Sequence, residues 1–279
     1  MSILDYFKPV STWSAEKIRD FLNQKNSGEY NLVDVRQPEE YEKGHLPGAR
    51  LIPVGELPNR LAELDPNKPT IVYWAAGVRS RAAASILTGA GLQEVHSMGG
   101  GIRAWQGLVA EGIPTAGMAY FTPATRPEEM VALAWLLEDG MRKFYESLAQ
   151  IMQDQEAKGT FENLKRSEEN HKTTLWKLFE EISGRTPTHE FPNKVIPAEP
   201  RGDVMEGGML VSEALEWSRG KALKDILELC ISLETNSYDL YLKMEQKVET
   251  NKAKQVFKTL SEEEKKHLDR LTFLFEKKL

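Results

Sequence analysis

The sequence predicts two domains, an α/β domain with a parallel sheet flanked by helices and then an all-α four-helix bundle. A soft prior of about 150 residues per domain gives two domains for 279 residues, each large enough for its own core. Up to residue 118, short apolar runs alternate with helical stretches and turn-like glycines, which is typical of a parallel sheet. From Pro123 onward, amphipathic periodicity with abundant Glu and Lys predicts long helices. We therefore expect domains at residues 1–118 and 119–279, joined near Gly112–Pro127.

The composition excludes several classes of protein. With 41% hydrophobic and 28% charged residues the chain is an ordinary globular sequence, and a net charge of −6 argues against a nucleic-acid-binding surface. No apolar run approaches the roughly 20 residues of a membrane span, and residues 1–20 contain no signal-peptide core. We therefore expect a cytoplasmic protein with neither nucleic-acid nor membrane partners. The single cysteine, Cys230, excludes metal sites built from several thiolates, so a metal site would use His and carboxylates.

In the first half, one loop has the pattern of an anion site. Tyr30–Val35 and Thr70–Tyr73 are predicted strands, and Val78–Leu87 is a predicted helix. The loop between the second strand and this helix points several backbone N–H groups into one space, which attracts anions. The predicted small-anion site consists of Ala75, Ala76, Gly77, Val78 and Arg79.

Further motifs accompany this loop. They are Asp34-Val35-Arg36, Gly44-His45-Leu46-Pro47-Gly48-Ala49 and Gly99-Gly100-Gly101-Ile102-Arg103-Ala104-Trp105. In this order, across about residues 10–117, the set resembles a single rhodanese (sulfurtransferase) domain. The resemblance implies a cysteine at the first position of the active loop, which in this chain is Trp74.

An indole cannot replace that thiolate, because it does not ionise at neutral pH and is a poor nucleophile. Cysteine-dependent sulfur transfer is therefore not expected. Two interpretations of the loop stay open: a binding or docking surface that still attracts a small anion, or a relic whose pocket Trp74 fills.

The second half contains an internal duplication with an offset of 96 residues. Among the positions that are identical between the copies, the apolar ones given below recur at helical spacing, so each helix has one buried stripe. The first copy contributes Leu133, Leu137, Glu138, Tyr145, Phe161, Leu164, Glu168, His171, Leu175, Leu178 and Phe179. The second contributes Leu229, Leu233, Glu234, Tyr241, Phe257, Leu260, Glu264, His267, Leu271, Leu274 and Phe275.

The polar members of the duplication have the spacing of metal ligands. Glu168 and His171 stand at i and i+3 on one helical face, and Glu264 and His267 repeat the pair. Glu138 and Glu234 each precede their pair by 30 residues. Two helices with one Glu and two with Glu-x-x-His form the di-metal carboxylate site of ferritin-like bundles, as described in general for that fold. A single pair of this kind on a Glu-rich helix would more often be a solvated face, but a matched double set predicts a metal site.

Residues 124–279 resemble a ferritin-like domain of the rubrerythrin type. The resemblance implies two iron ions bridged by Glu168 and Glu264, with Glu138 and Glu234 as terminal ligands and one histidine on each ion. Manganese and zinc compete for such a ligand set. The chain departs from the family at Ser237, where an additional glutamate is common, and it lacks a rubredoxin module.

Three further features of the second half are two tyrosines, the single cysteine and the segment that joins the two helical hairpins. Tyr145 and Tyr241 are candidates for hydrogen bonds to ligand carboxylates, or ordinary core residues. Cys230 is interpreted as a small core residue or as a redox thiol near the metals. The Pro- and Gly-rich crossover Gly184–Gly208 is expected to have exposed turns.

The first hypothesis is a cytoplasmic non-haem di-iron oxidoreductase that reduces peroxide or dioxygen with an unidentified electron donor. Its rhodanese-like domain would bind a partner or an anion. Two hypotheses compete with it, and they leave open whether the chain is an enzyme: an iron-binding or sensing protein without turnover, and an accessory protein of sulfur metabolism. The resemblance also implies a homodimer.

Overall fold

The chain folds into two compact units, Met1–Pro114 and Thr115–Leu279. The computed structural model describes residues 11–75, 78–112, 126–188, 191–196 and 202–278. The predicted boundary at residue 118 lies outside the described residues. Among the helices described, none is both long and apolar enough to cross a bilayer.

The elements of the first unit are β1 (Ser11–Trp13), α1 (Ala15–Gln24), β2 (Asn31–Asp34), α2 (Pro38–Glu42), β3 (Arg50–Leu51), β4 (Thr70–Tyr73), α3 (Val78–Gly89) and β5 (Val95–Met98). The strands form a five-stranded sheet with the order β1-β5-β4-β2-β3, in which all strand pairs are parallel. This topology confirms the α/β prediction.

The central strands are buried on both faces, as parallel strands usually are. Leu32 and Ile71 pack with Ile18 of α1 on one face of the sheet. Val33 and Val72, the next residues along β2 and β4, pack on the opposite face together with the residues of α3. The two-residue period of a strand therefore places a helix layer on each side of the sheet.

The second unit is a bundle of four long helices with one short additional helix. The helices are α4 (Pro127–Ile151), α5 (Gln155–Ser183), α6 (Val211–Ser218), α7 (Leu223–Lys247) and α8 (Asn251–Lys278). Helices α4 and α5 pack as one hairpin, α7 and α8 pack as the other, and α5 contacts α8 between them. The predicted four-helix bundle is confirmed, with α6 as a short helix after the crossover.

Local sequence sets where these helices begin and end. Pro127 stands in the first turn of α4, where its missing N–H costs nothing. The carboxylate of Asp154 accepts hydrogen bonds from the first turn of α5, including one of 2.9 Å from the Ala157 amide. The hydroxyl of Thr250 accepts one of 3.2 Å from the Ala253 amide of α8. Each hairpin loop therefore supplies the cap of its second helix.

Two apolar clusters fill the bundle, one above and one below a polar layer. On α4, Leu137 belongs to the first cluster and Met141 to the second, and Glu138 lies between them. The order is inverted on α7, where Leu233 belongs to the second cluster and Leu240 to the first. The carboxylates of the duplication therefore occupy the middle of the bundle.

The described part of the crossover combines exposed turns with buried apolar residues. Phe191 is buried and its ring packs against three aromatic rings, the closest being Phe179 at 4.7 Å between centroids. Val204 and Met205 are also buried, the first in one apolar cluster and the second in the other. The expected exposed turns are present, for example at Asn193 and Lys194, but the expectation overlooked the apolar residues that anchor the segment between them.

Candidate metal centre

The structure brings all six predicted ligand residues together in the middle of the bundle. Helices α4 and α7 each contribute one glutamate, and α5 and α8 each contribute a Glu-x-x-His pair. Each residue is at most 2% exposed. The residues are Glu138, Glu168, His171, Glu234, Glu264 and His267.

Two sets of these residues have the spacing of a metal site. Glu138, Glu168, His171 and Glu264 form one set, and Glu168, Glu234 and His267 form the other. Within each set, one potential ligand atom per residue lies within 4.8 Å of all the others. Glu168 belongs to both sets, as a carboxylate shared by two ions would.

Both Glu-x-x-His glutamates lie between the two imidazoles. Nδ1 of His171 is 3.0 Å from Glu168 and 3.2 Å from Glu264. Nδ1 of His267 is 3.4 Å from Glu168 and 3.3 Å from Glu264. The two rings are nearly parallel, with centroids 5.3 Å apart. Nδ1 is therefore the nitrogen that each histidine directs to the centre.

The two candidate tyrosines bind carboxylates of the opposite hairpin. The hydroxyl of Tyr145 on α4 donates a hydrogen bond to Glu234 on α7. Conversely, the hydroxyl of Tyr241 on α7 donates to Glu138 on α4. Both tyrosines are fully buried. Each terminal glutamate is thus oriented by a phenol from across the bundle, which joins the two halves of the duplication.

A carboxylate lies next to His171, on the side of the ring that carries Nε2. Nε2 of His171 lies 2.8 Å from Oε2 of Glu263, whose side chain is 41% exposed. The interaction with His171 lowers the pKa of Glu263. The position equivalent to Glu263 in the first copy is Ser167. In this geometry Nε2 of His171 makes no hydrogen bond to any residue that the structure describes, so the pair is a close contact between a carboxylate and the edge of the imidazole opposite Nδ1.

The buried charges strongly perturb one another. Burial raises the pKa of Glu168 well above its usual value, although the two histidines lower it. Burial and the neighbouring Glu264 raise the pKa of Glu234 to about 8. Burial lowers the pKa of His171, but Glu138 and Glu168 outweigh this effect and raise it overall. These shifts mean that the buried carboxylates and imidazoles favour bound protons, and a metal cation would take the place of those protons.

The donor set fits a pair of metal ions. Both oxygens of Glu168 and Oε1 of Glu264 are buried without a hydrogen bond among the described residues. Imidazole nitrogens lie 3.0–3.4 Å from them, outside hydrogen-bonding geometry. Buried polar atoms of this kind are costly unless an ion satisfies them. Carboxylate and imidazole ligands without thiolate suit iron or manganese, with zinc as a competitor.

A further buried carboxylate, that of Glu206, belongs to the crossover and was not predicted from the sequence. Its side chain is 1% exposed, and its pKa is raised by burial and then by Glu138 and Glu264. Because the crossover is not part of the duplication, no repeat identifies this residue. Its position directly after Val204 and Met205, two apolar residues in a Gly-rich segment, is the one available indication of burial.

Cys230 lies in the second apolar cluster and is fully buried. Burial and the nearby Glu234 raise the pKa of its thiol well above the usual value. A protonated thiol among apolar side chains favours the interpretation as a small core residue.

The structure describes only part of the predicted anion loop. Ala76 and Gly77 lie outside the described residues, as do the side chains of Val78 and Arg79. Trp74 is half-buried and packs against the apolar cluster that includes Val33 and Val72. This contact favours neither interpretation of the loop, because a filled pocket and a docking surface both accommodate it.

The glycine motif and the Asp-x-Arg motif of this domain have structural roles. A Cβ atom on Gly101 would lie 2.1 Å from the carbonyl oxygen of Trp74, so only glycine permits this approach. Asp34 and Arg36 form a buried ion pair of 2.6 Å, and Arg36 also donates to the Gly44 carbonyl. These contacts fix the loops at the ends of β2 and β4.

Two family models match the chain. A rhodanese-like domain model matches residues 15–108, and a rubrerythrin model matches residues 129–275. The two ranges fall in the two compact units.

Curated relatives match part of the chain. YqhL, an uncharacterized protein of Bacillus subtilis, is 41% identical over 78 residues, 28% of this chain and 62% of the relative. The chain therefore spans less than two thirds of that relative's length. The thiosulfate sulfurtransferase GlpE of Pseudoalteromonas translucida is 32% identical over 82 residues, 29% of this chain and 78% of the relative.

A solved structure, a rhodanese with anions from E. coli, is 34% identical, covering 30% of this chain and 99% of that chain with a TM-score of 0.28. The family assignments rest on the two models and on the sequence relatives. Residues 15–108 form a rhodanese-like domain that lacks the active-site cysteine. Through residues 129–275, which make up more than half of its length, the chain belongs to the rubrerythrin family.

Proposed function

We propose that the chain is a non-haem di-iron oxidoreductase that reduces peroxide or dioxygen with electrons from a separate donor. The observation that supports this most is the sharing of Glu168 between two ligand sets, with both histidines facing Glu168 and Glu264. One carboxylate shared by two imidazole-bearing sets is what a dinuclear centre requires. A single-ion site would need only one set.

Two bound iron ions would supply the two electrons that reduce peroxide. The side chains of this protein would balance the charge of the ions and fix their positions. Glu168 and Glu264 are proposed to bridge, Glu138 and Glu234 to bind one ion each, and the two histidines to complete one ion each. The phenols hold the terminal carboxylates, and the apolar clusters on either side exclude water.

We propose that the rhodanese-like domain is a binding module without sulfurtransferase activity, because its loop begins with Trp74. GlpE is a thiosulfate sulfurtransferase, so thiosulfate is the anion to test. A Trp74→Cys variant that transfers sulfur from thiosulfate to cyanide, when the native chain does not, would identify a preserved anion site. An inactive variant that also fails to bind thiosulfate favours the relic.

The experiment for the metal centre compares the native protein with a His171→Ala/His267→Ala double variant. Asn170→Ala/Lys266→Ala is the matched control, because these exposed residues directly precede the two histidines. We expect about two iron ions per chain by elemental analysis in native and control proteins, and loss of iron in the histidine variant. Peroxide added to the ferrous protein should produce the absorption of an oxo-bridged ferric pair.

Repeated turnover distinguishes the proposal from its rivals. With peroxide and an artificial reductant, an oxidoreductase consumes many equivalents, whereas an iron-binding or sensing protein reacts once and stops. Protein prepared with ample iron that holds no stoichiometric metal would refute the di-iron proposal. A cytoplasmic location and a homodimer stay predictions, and size measurement in solution tests the second.

A further inference from the structure

The end of the crossover forms a small hairpin whose tip is buried. Val204 and Leu210 form an antiparallel bridge, and the Met205 amide donates to the Met209 carbonyl at 2.8 Å. At its open end, the Val211 amide donates to the Asp203 carbonyl at 2.9 Å. Glu206 begins the single 3₁₀ turn at the tip. The backbone of this segment is thus held by its own hydrogen bonds.

The hairpin fits against α4 at a glycine two residues after Glu138. A Cβ atom on Gly140 would lie 2.1 Å from the Val204 carbonyl oxygen, so only glycine lets the two backbones approach this closely. An ion pair of 2.6 Å between Lys143 and Asp203 holds the outer end of the hairpin to the same helix. The tip also contacts α7.

This docking places Glu206 at the level of the metal centre. Val204 belongs to the apolar cluster on one side of the polar layer, and Met205 belongs to the cluster on the other side. Glu206, the next residue, is 1% exposed. Burial raises its pKa, and the carboxylates of Glu138, Glu264 and Glu234 raise it further, against a lowering by its own amide. The charge on Glu206 therefore interacts with the ligand carboxylates.

The carboxylate of Glu206 has no partner that explains its burial. Neither oxygen accepts a hydrogen bond from another residue that the structure describes. Protonation would not remove this cost, since a carboxylic acid also needs an acceptor for its O–H. On α7, the residue one turn after Glu234 is the buried Ser237, whose hydroxyl donates to its own helix at the Leu233 carbonyl. A cation beside Glu206 would satisfy the unpartnered oxygens.

We infer that Glu206 is a seventh protein ligand of the dinuclear centre, supplied by the crossover and not by any of the four bundle helices. The inference rests on the proposed function, because it requires metal at the six helical residues. It assigns the hairpin a chemical role, and Gly140 acts as the positioning residue that admits the hairpin to the centre.

The test titrates the full-length, metal-free protein with Co²⁺, whose visible absorption depends on coordination number. Glu206→Gln keeps the shape of the side chain and removes its charge, and Glu213→Gln removes an exposed carboxylate on α6 as the control. We expect two ions in native and control proteins. In E206Q one ion should bind about tenfold more weakly or worse, with altered absorption.

A crystal of the native protein grown with Co²⁺ supplies a readout that needs no variant. Anomalous scattering should place one ion at bonding distance from the Glu206 carboxylate. Native affinities and an unchanged Co²⁺ spectrum in E206Q, or a Glu206 carboxylate that contacts neither ion in the crystal, would overturn the inference and leave the proposed function intact. A native protein that fails to bind two ions at the six helical residues would overturn both.

Discussion

Glu263 contacts only one of the two histidines, although the six candidate ligands are duplicated. Its carboxylate lies 2.8 Å from Nε2 of His171. The equivalent position of the first copy is Ser167, which has no carboxylate to offer to His267. A carboxylate behind a metal-binding imidazole fixes the tautomer that leaves Nδ1 free to bind. The two histidines are therefore held by different surroundings.

Replacing Glu263 with Gln should weaken metal binding at His171 on the order of tenfold, because the imidazole loses the negative charge next to Nε2. Glu262→Gln is the control, since that side chain is 59% exposed on the same helix. Competition with a chelator of known affinity measures the effect. Equal affinities in the two variants would mean that Glu263 does not orient the ligand.

The crossed tyrosines make a second prediction about single residues. Tyr145→Phe removes the donor to Glu234 and leaves a buried carboxylate oxygen unsatisfied. We expect the free energy of unfolding of the metal-free protein to fall by about 1–3 kcal/mol. Tyr238→Phe, at a half-buried position of α7, should change it by less than about 0.5 kcal/mol. Denaturant unfolding followed by circular dichroism distinguishes them, and equal losses would contradict the proposed role of the hydrogen bond.

The hairpin at the end of the crossover affects the stability of the bundle independently of its proposed role in metal binding. Gly140→Ala should displace it, because the added Cβ would meet the Val204 carbonyl oxygen at 2.1 Å. The expected loss in the free energy of unfolding is about 1–3 kcal/mol, as for overpacked sites. Gly159→Ala is the matched control, since that helical position has open space, and it should stabilise by about 0.5–1 kcal/mol. Thermal or denaturant unfolding measures both, and a stabilised G140A would contradict this close packing.

Periodicity and duplication predict elements better than they predict contacts between them. The 96-residue offset identified the stripes of all four long helices, and the predicted Glu-x-x-His residues lie in one buried cluster. It could not identify Glu206, whose counterpart position falls in the other domain. Nor could the seven-residue spacing of Glu138 and Tyr145 predict that the phenol donates across the bundle to Glu234, because the crossing depends on how the hairpins pack.

At the scale of the molecule, metal binding should stabilise one unit selectively. All candidate ligands belong to Thr115–Leu279. An ion at about 1,000 times its dissociation constant adds about 4 kcal/mol to the free energy of unfolding, which corresponds to a rise in Tm on the order of 10 °C for a domain of this size. Calorimetry with iron or manganese and then with chelator tests this. A shift confined to the rhodanese-like unit, or no shift, would contradict the assignment.

The duplication of the helical hairpins within one chain also determines how mutations affect the two halves of the metal centre. In an assembly of two identical hairpins, symmetry repeats every mutation at both equivalent positions. Here both copies are encoded in one chain, so a substitution in one leaves the other unaltered. Glu263 in one copy and Ser167 at the equivalent position of the other are such a difference. The hairpin that carries Glu206 is a second difference, because it has no counterpart in the duplication. Fusion of the two copies therefore lets selection specialise the surroundings of each ion separately, while the ligands that both copies need stay matched.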